Sequence, residues 1–128
     1  MHQEVFARLR EIPVPYQARL SVSCDEPASF ELGIPPTPDD ERGVFVAAVR
    51  DGKAYASFHL MPVYVFPDLL ESVSSELRHR MQGKSCFNFS RVDEGLFTEL
   101  EALTARGIER FRDLGAAARG TRGPRSSG

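Results

Sequence analysis

The chain has 128 residues, 41% hydrophobic and 27% charged, with 16 Lys and Arg against 18 Asp and Glu for a net charge of −2. This length sustains one core that hides roughly two-thirds of the unfolded surface, and no apolar run approaches the ~18–20 residues that span a bilayer. Segment 115–128 holds Arg119, Arg122 and Arg125 and no acid, so −2 less those three cations leaves −5 on the rest, a balance that argues against a broad nucleic-acid footprint.

The first residues, MHQEVFARLREI, mix acids and polar groups at helical spacing without an apolar stretch and small-residue cleavage site. A cytoplasmic location is therefore expected, where the two cysteines, Cys24 and Cys86, stay reduced. Val5, Phe6, Leu9 and Ile12 recur at i, i+1, i+4 and i+7, predicting a short helix that Pro13 and Pro15 stop. Leu20, Val22 and Cys24, then Phe30, Leu32 and Ile34, alternate with polar or small neighbours, predicting two half-buried strands. PPTPDDERG, 35–43, reads as a rigid, solvated loop.

VFVAAVRDGKAYASFHL places two β-rich runs around Asp51-Gly52, the pair that suits a two-residue type I′ turn. That turn would pair Arg50 with Lys53, Val49 with Ala54, Ala47 with Ala56 and Phe45 with Phe58. Phe45, Ala47, Val49, Ala54, Ala56 and Phe58 then share one face, and Val44, Val46, Ala48, Tyr55, Ser57 and His59 the other. PDLLESVSSELRHRMQG predicts helical turns from Pro67 to Gly83 with Leu69, Leu70, Val73, Leu77 and Met81 inward. CFNFS follows as a short strand. A last helix is predicted from about Asp93 to Leu114, with Leu96, Phe97, Leu100, Leu103, Ile108, Phe111 and Leu114 in its stripe and Gly115 at its end. One domain over 1–114 and a disordered tail over 115–128 follow.

Gly83-Lys84-Ser85 suggests a phosphate loop, but such a loop needs a glycine where Arg78 stands, a strand before it and a helix after it. Lys84 reads better as a turn residue facing solvent. Cys86 becomes a nucleophile only where a base and a positive field stabilise its thiolate, and strand alternation puts it on one face with Asn88 while Phe87 and Phe89 take the other. A structural cysteine is the plainer reading. His2, His59 and His79 lie far apart and no zinc-ligand spacing occurs, so no firm metal site is expected; Asp39, Asp40 and Glu41 are the weak candidates for a hard cation. Asp93-Glu94 suits a helix start. Tyr55, Ser57 and His59 alternate along one strand as half-exposed polar residues or as the lining of a ligand or partner site.

The stretch YASFHLMPVYVFPDLLESVSSELRHRMQGKSCFNFSRVDEGLFTELEALTARGIERF, above all SFHLMPVY and MQGKSCFNF, resembles the YdhG-like superfamily, a bacterial group of unknown function. The resemblance runs over about residues 53–112. It implies an antiparallel sheet flanked by helices, a fold likened to frataxin, and iron as a possible cargo, since some members have been discussed as iron chaperones. Frataxins bear a dense acidic ridge on their first helix, where this chain has Glu4 and Glu11 beside Arg8 and Arg10. The resemblance carries no catalytic residues across.

Together these readings predict an α+β fold, an antiparallel sheet of about five strands packed against N- and C-terminal helices. The expected function is a non-enzymatic module that binds a small ligand or protein partner, or a second copy of itself, through the sheet face around Tyr55 and His59. An iron chaperone and a small-molecule enzyme using His59 and Cys86 are the alternatives.

Overall fold

The computed structural model describes residues 2–18, 20–34 and 44–122. Helix α1 (Gln3–Arg10) is followed by a 3₁₀ turn over Val14–Ala18 and strands β1 (Ser21–Glu26), β2 (Ser29–Ile34), β3 (Val44–Asp51) and β4 (Ala56–Leu60). Helix α2 (Met61–Val65), a 3₁₀ turn over Pro67–Ser72 and helix α3 (Ser75–Arg78) lead to β5 (Met81–Gln82), β6 (Cys86–Phe89) and helix α4 (Glu94–Arg122). The strands form one antiparallel sheet in the order β1-β2-β3-β4-β6-β5. The fold is α+β, a six-stranded sheet packed against α1 and α4. No helix among the described residues is long and apolar enough to cross a membrane.

The apolar alternation read in the sequence builds one face of this sheet. Phe30, Leu32, Ala47, Val49, Ala56, Phe58, Leu60, Phe87 and Phe89 are buried there with Val5, Phe6 and Leu9 of α1 and Leu96, Phe97, Leu100 and Leu103 of α4. Phe89 and Phe97 meet edge to face with centroids 4.9 Å apart, fastening α4 to β6. Arg8 joins the two helices from outside, its Nε 3.0 and 3.1 Å from the Glu94 carboxylate oxygens and its Nη2 2.8 Å from one of them. Asp93 opens α4 as expected, its Oδ1 accepting from the Leu96 N–H at 3.2 Å.

The β3–β4 hairpin differs from the two-residue turn that Asp51-Gly52 suggested. Asp51 pairs with Ala56, Val49 with Phe58 and Ala47 with Leu60, so the loop is residues 52–55, closed by the Gly52 N–H donating to the Tyr55 carbonyl at 3.0 Å. Among the described residues only Gly83 has positive φ, so the type I′ geometry is not adopted. The longer loop brings Leu60 into the ladder opposite a small residue and buries it, an apolar gain that the tighter turn forgoes. The slip is by an even number of positions, so faces are kept for Ala47, Val49, Ala56 and Phe58, while Ala54 moves out to the exposed loop.

Two bulges correct further side-chain assignments. Leu32 faces Ala47 but Gly33 faces Phe45, which leaves Val46 as an extra residue, 1% exposed within the core rather than on the open face. Phe45, beyond the bulge, is half-buried. In β1, Val22 faces Leu32 and Cys24 faces Glu31, with Ser23 extra, so Cys24 turns to the face away from the helices instead of inward with Val22. Val22, on the outermost strand, stays 39% exposed.

The predicted helix over 67–83 is broken into a 3₁₀ turn, α3 and β5. Leu69 and Leu77 are buried and Leu70, Val73 and Met81 pack on the core as predicted, but the run is interrupted at Ser74, whose hydroxyl caps α3 by accepting from the Leu77 N–H at 3.1 Å. The serine competes for backbone bonds that a continuous helix would have used. Gly83, with φ of 80°, serves the β5–β6 turn and not a helix end. Helix α4 continues past Gly115 to Arg122, since Ala116, Ala117, Ala118 and Arg119 are strong helix formers and Gly115 and Gly120 cost only ~1 kcal/mol each. Residues 123–128 and the 35–43 loop lie outside the described residues.

Candidate functional site

The sheet face opposite α1 and α4 is organised in rows. One row crosses all six strands through Cys24, Glu31, Ala48, His59, Cys86 and Gln82, and the next runs Glu26, Ser29, Arg50, Ser57 and Asn88. Directly opposed residues of antiparallel strands stand about 4.5–5.5 Å apart, so each row is a chain of potential contacts. Ser57, His59 and Cys86 all fall on this face; Tyr55 joins them from the end of the loop that leads into β4.

Their polar atoms form one connected network. The Tyr55 hydroxyl donates to Gln82 Oε1 at 2.9 Å, and Asn88 Nδ2 donates to the same oxygen at 2.8 Å. Asn88 Oδ1 in turn accepts from Ser57 Oγ at 2.9 Å and from Cys86 Sγ at 3.3 Å. Cys86 Sγ also stands 3.5 Å from His59 Nε2. Beyond His59, Arg50 Nη2 and Glu31 Oε2 are paired at 2.6 Å.

Burial sets the protonation states. It holds the His59 pKa below its ordinary value, with the Arg50 charge acting in the same direction and Glu31 opposing. It pushes the Cys86 thiol up, against the smaller effects of the Ser57 hydroxyl and the Arg50 charge. At neutral pH the pair is therefore thiol and neutral imidazole, able to donate and accept hydrogen bonds but without the thiolate that nucleophilic attack needs. No hydrogen bond to His59 Nδ1 orients the ring among the described residues, whereas a working dyad has its base held by a third group.

A groove of about 350 Å³ opens at the Tyr55 end of this network, lined by Tyr55, Gln82, Asn88, Ser90, His79 and Arg80 among others. No carboxylate contributes to its lining. Gln82 and Asn88 thus serve both network and groove. The alternation that put Asn88 beside Cys86 was legible in the sequence, but Gln82 was hidden by the helix predicted across it, and Arg50 and Glu31 became neighbours of His59 only through the true register.

The other candidates separate. Lys84 is exposed on the β5–β6 turn and lines a different groove, with Arg78. A strand precedes and follows it, so the phosphate-loop context is absent. Asp39, Asp40 and Glu41 lie outside the described residues, among which no group of three or more His, Cys, Asp and Glu is placed to hold a metal. Cys24 and Cys86 share a face but stand four strand spacings apart, about 19 Å, well beyond the reach of a disulfide.

Comparison with known families, curated proteins and solved structures finds no match.

Proposed function

We propose that the chain is a non-enzymatic binding module that takes a small polar ligand on its open sheet face, around Tyr55, Ser57, His59 and Cys86. The observation that carries this reading is the shared use of Asn88 and Gln82. Each ties together side chains of the network and also lines the groove beside it. Binding sites characteristically combine a concavity of a few hundred Å³ with a small number of convergent polar groups held by their neighbours. With Arg80, His79, Ser90 and Tyr55 as lining and no carboxylate, the groove favours a ligand rich in acceptors, such as a small carboxylate.

The uncharged states of Cys86 and His59 support binding over catalysis, because they suit the pair to recognition by hydrogen bonds. The iron-chaperone reading rests on the YdhG-like resemblance and on Asp39, Asp40 and Glu41, and no feature of the sheet face adds to it. A cytoplasmic setting fits two thiols left unpaired on one surface.

The test is a titration of the labelled protein, followed by amide and side-chain NMR, with a panel of amino acids, dicarboxylates and nucleosides. Shifts clustered at Tyr55, Gln82 and Asn88 that disappear in Asn88→Ala are expected for at least one member. Saturating additions that move no resonance of this face would refute the reading.

A further inference from the structure

A second groove, of about 560 Å³, is lined by none of the residues of the polar network and shares only Met81 with the groove beside Tyr55. Val63, Pro67, Leu70 and Met81 give it an apolar floor, and Arg78 and Lys84 stand at its edge. Tyr64 contributes to the lining while remaining 55% exposed, and the adjoining Val65 is 44% exposed; with Val22 these are the large hydrophobic side chains most open to water among the described residues. Isolated exposed apolar groups are ordinary, but two in succession beside an apolar groove form a patch of the kind partners cover.

The charges identify the occupant. Arg8, Arg10, Arg50 and Arg110 each contact a carboxylate, whereas Arg78 and Lys84 have no carboxylate partner among the described residues. Arg78 and Lys84 are the charged residues that line this groove and no acid lines it, in a chain of net charge −2. Gly83 makes this arrangement feasible, since its φ of 80° lets the chain reverse after Met81-Gln82 and leaves Lys84 at the groove. Unpaired cations around an apolar floor complement an anionic, apolar occupant. The apolar surface of the groove continues over the exposed Tyr64 and Val65, which suits an extended chain better than a single enclosed ligand.

We propose that this groove docks a short acidic peptide segment of a partner protein, with one large apolar side chain seated against Leu70 and Met81 and flanking carboxylates paired with Arg78 and Lys84. The Gly-Lys-Ser turn then has a role in partner recognition and none in phosphate binding.

Fluorescence anisotropy of a labelled peptide, Glu-Asp-Leu-Phe-Glu-Asp, titrated with the full chain tests this, alongside the same peptide with its acids replaced by Gln or by Lys. Saturable binding is expected that weakens about ten-fold when salt rises from low to roughly half-molar. Arg78→Glu with Lys84→Glu, and separately Tyr64→Ala, should each weaken it by about ten-fold or more with the circular dichroism unchanged. Asn88→Ala should leave it intact, which separates this site from the polar face. Equal affinity for the Gln peptide, no saturable binding, or binding of sodium decanoate in place of the peptide would each overturn the proposal.

Discussion

Cys86 Sγ and His59 Nε2 face each other at 3.5 Å across β4 and β6, and burial keeps both groups uncharged. The geometry resembles a catalytic pair, yet the electrostatics run the other way. Activated cysteines sit where positive charge or a helix N-terminus outweighs desolvation; here desolvation is the largest influence on the thiol and Arg50, itself paired with Glu31, offsets little of it.

The direct consequence is sluggish thiol chemistry. In a Cys24→Ser background, Cys86 should react with a neutral maleimide or disulfide reagent about ten-fold more slowly than a cysteine in an unstructured peptide at neutral pH. The rate should rise with pH and level off only above the ordinary thiol value of 9.0. Reaction faster than the peptide would restore the enzyme reading based on His59 and Cys86.

The same pair sets limits on stability. Because the His59 pKa is lowered in the fold, the unfolded chain takes up the proton first as the pH falls past 6.5. The contribution is therefore fully present above pH 6.5 and lost through the window below it. Asp68 and Glu94, whose pKa values are also lowered, act the same way but only below their ordinary values of 3.8 and 4.5, so the two windows are separable. Cys86 is the mirror case: its raised pKa costs stability as the pH rises past 9.0, where the unfolded thiol ionises first. Urea midpoints measured from about pH 7 down to about pH 5.5 should fall for the native sequence and fall less for His59→Gln. Parallel curves would show that His59 is not the group responsible.

How much of this was legible in the sequence depended on which distances carried the signal. Alternation is a local property: Phe30, Leu32, Val49 and Phe58 fell inward as read, and Phe87 and Phe89 share a face as read, although which side of the sheet that face takes is settled only by the pairing of β6 with β4. Register is not local. Asp51-Gly52 favours one turn, and the burial of Leu60 favours another; the second outcome placed Arg50 beside Ser57 and Ala48 beside His59. Bulges at Ser23 and Val46 are equally invisible to alternation, because they are resolved by what packs above them. Tyr55, Ser57 and His59 were legible as members of one face, but Cys86 joins them only through the β4–β6 pairing, and the residues that connect them, Asn88 and above all Gln82, emerge only once β5 and β6 are paired.

Thr104 offers a test of the core itself. It is fully buried on α4, and its Oγ1 has no hydrogen-bond partner among the described residues. A buried hydroxyl without a partner costs roughly 1–3 kcal/mol of desolvation, whereas valine fills nearly the same volume without it. Thr104→Val should therefore raise stability by about 1 kcal/mol, read as a higher midpoint in urea at unchanged slope. A lower midpoint would mean that the hydroxyl is satisfied in solution.

Gly107, three residues further along α4, should respond in the opposite sense. In an exposed helix, Gly→Ala gains about 0.5–1 kcal/mol from reduced backbone freedom in the unfolded chain. At this position an added Cβ would lie 2.9 Å from Pro62 Cβ and 3.3 Å from Pro62 Cγ, so the glycine is what allows α2 to approach α4. The obstacle is a proline ring, which has no rotamer by which to withdraw. Forcing an extra methyl into such a contact typically costs 1–3 kcal/mol, which exceeds the helix gain. Gly107→Ala should accordingly destabilise the fold by about 1 kcal/mol or more. Gly95, in the first turn of the same helix, is the matched control: a Cβ there meets only the Asp93 carboxylate at 3.6 Å, an ordinary contact, so Gly95→Ala should be neutral or stabilising. If both substitutions shift the thermal midpoint equally, the close packing of α2 on α4 is wrong.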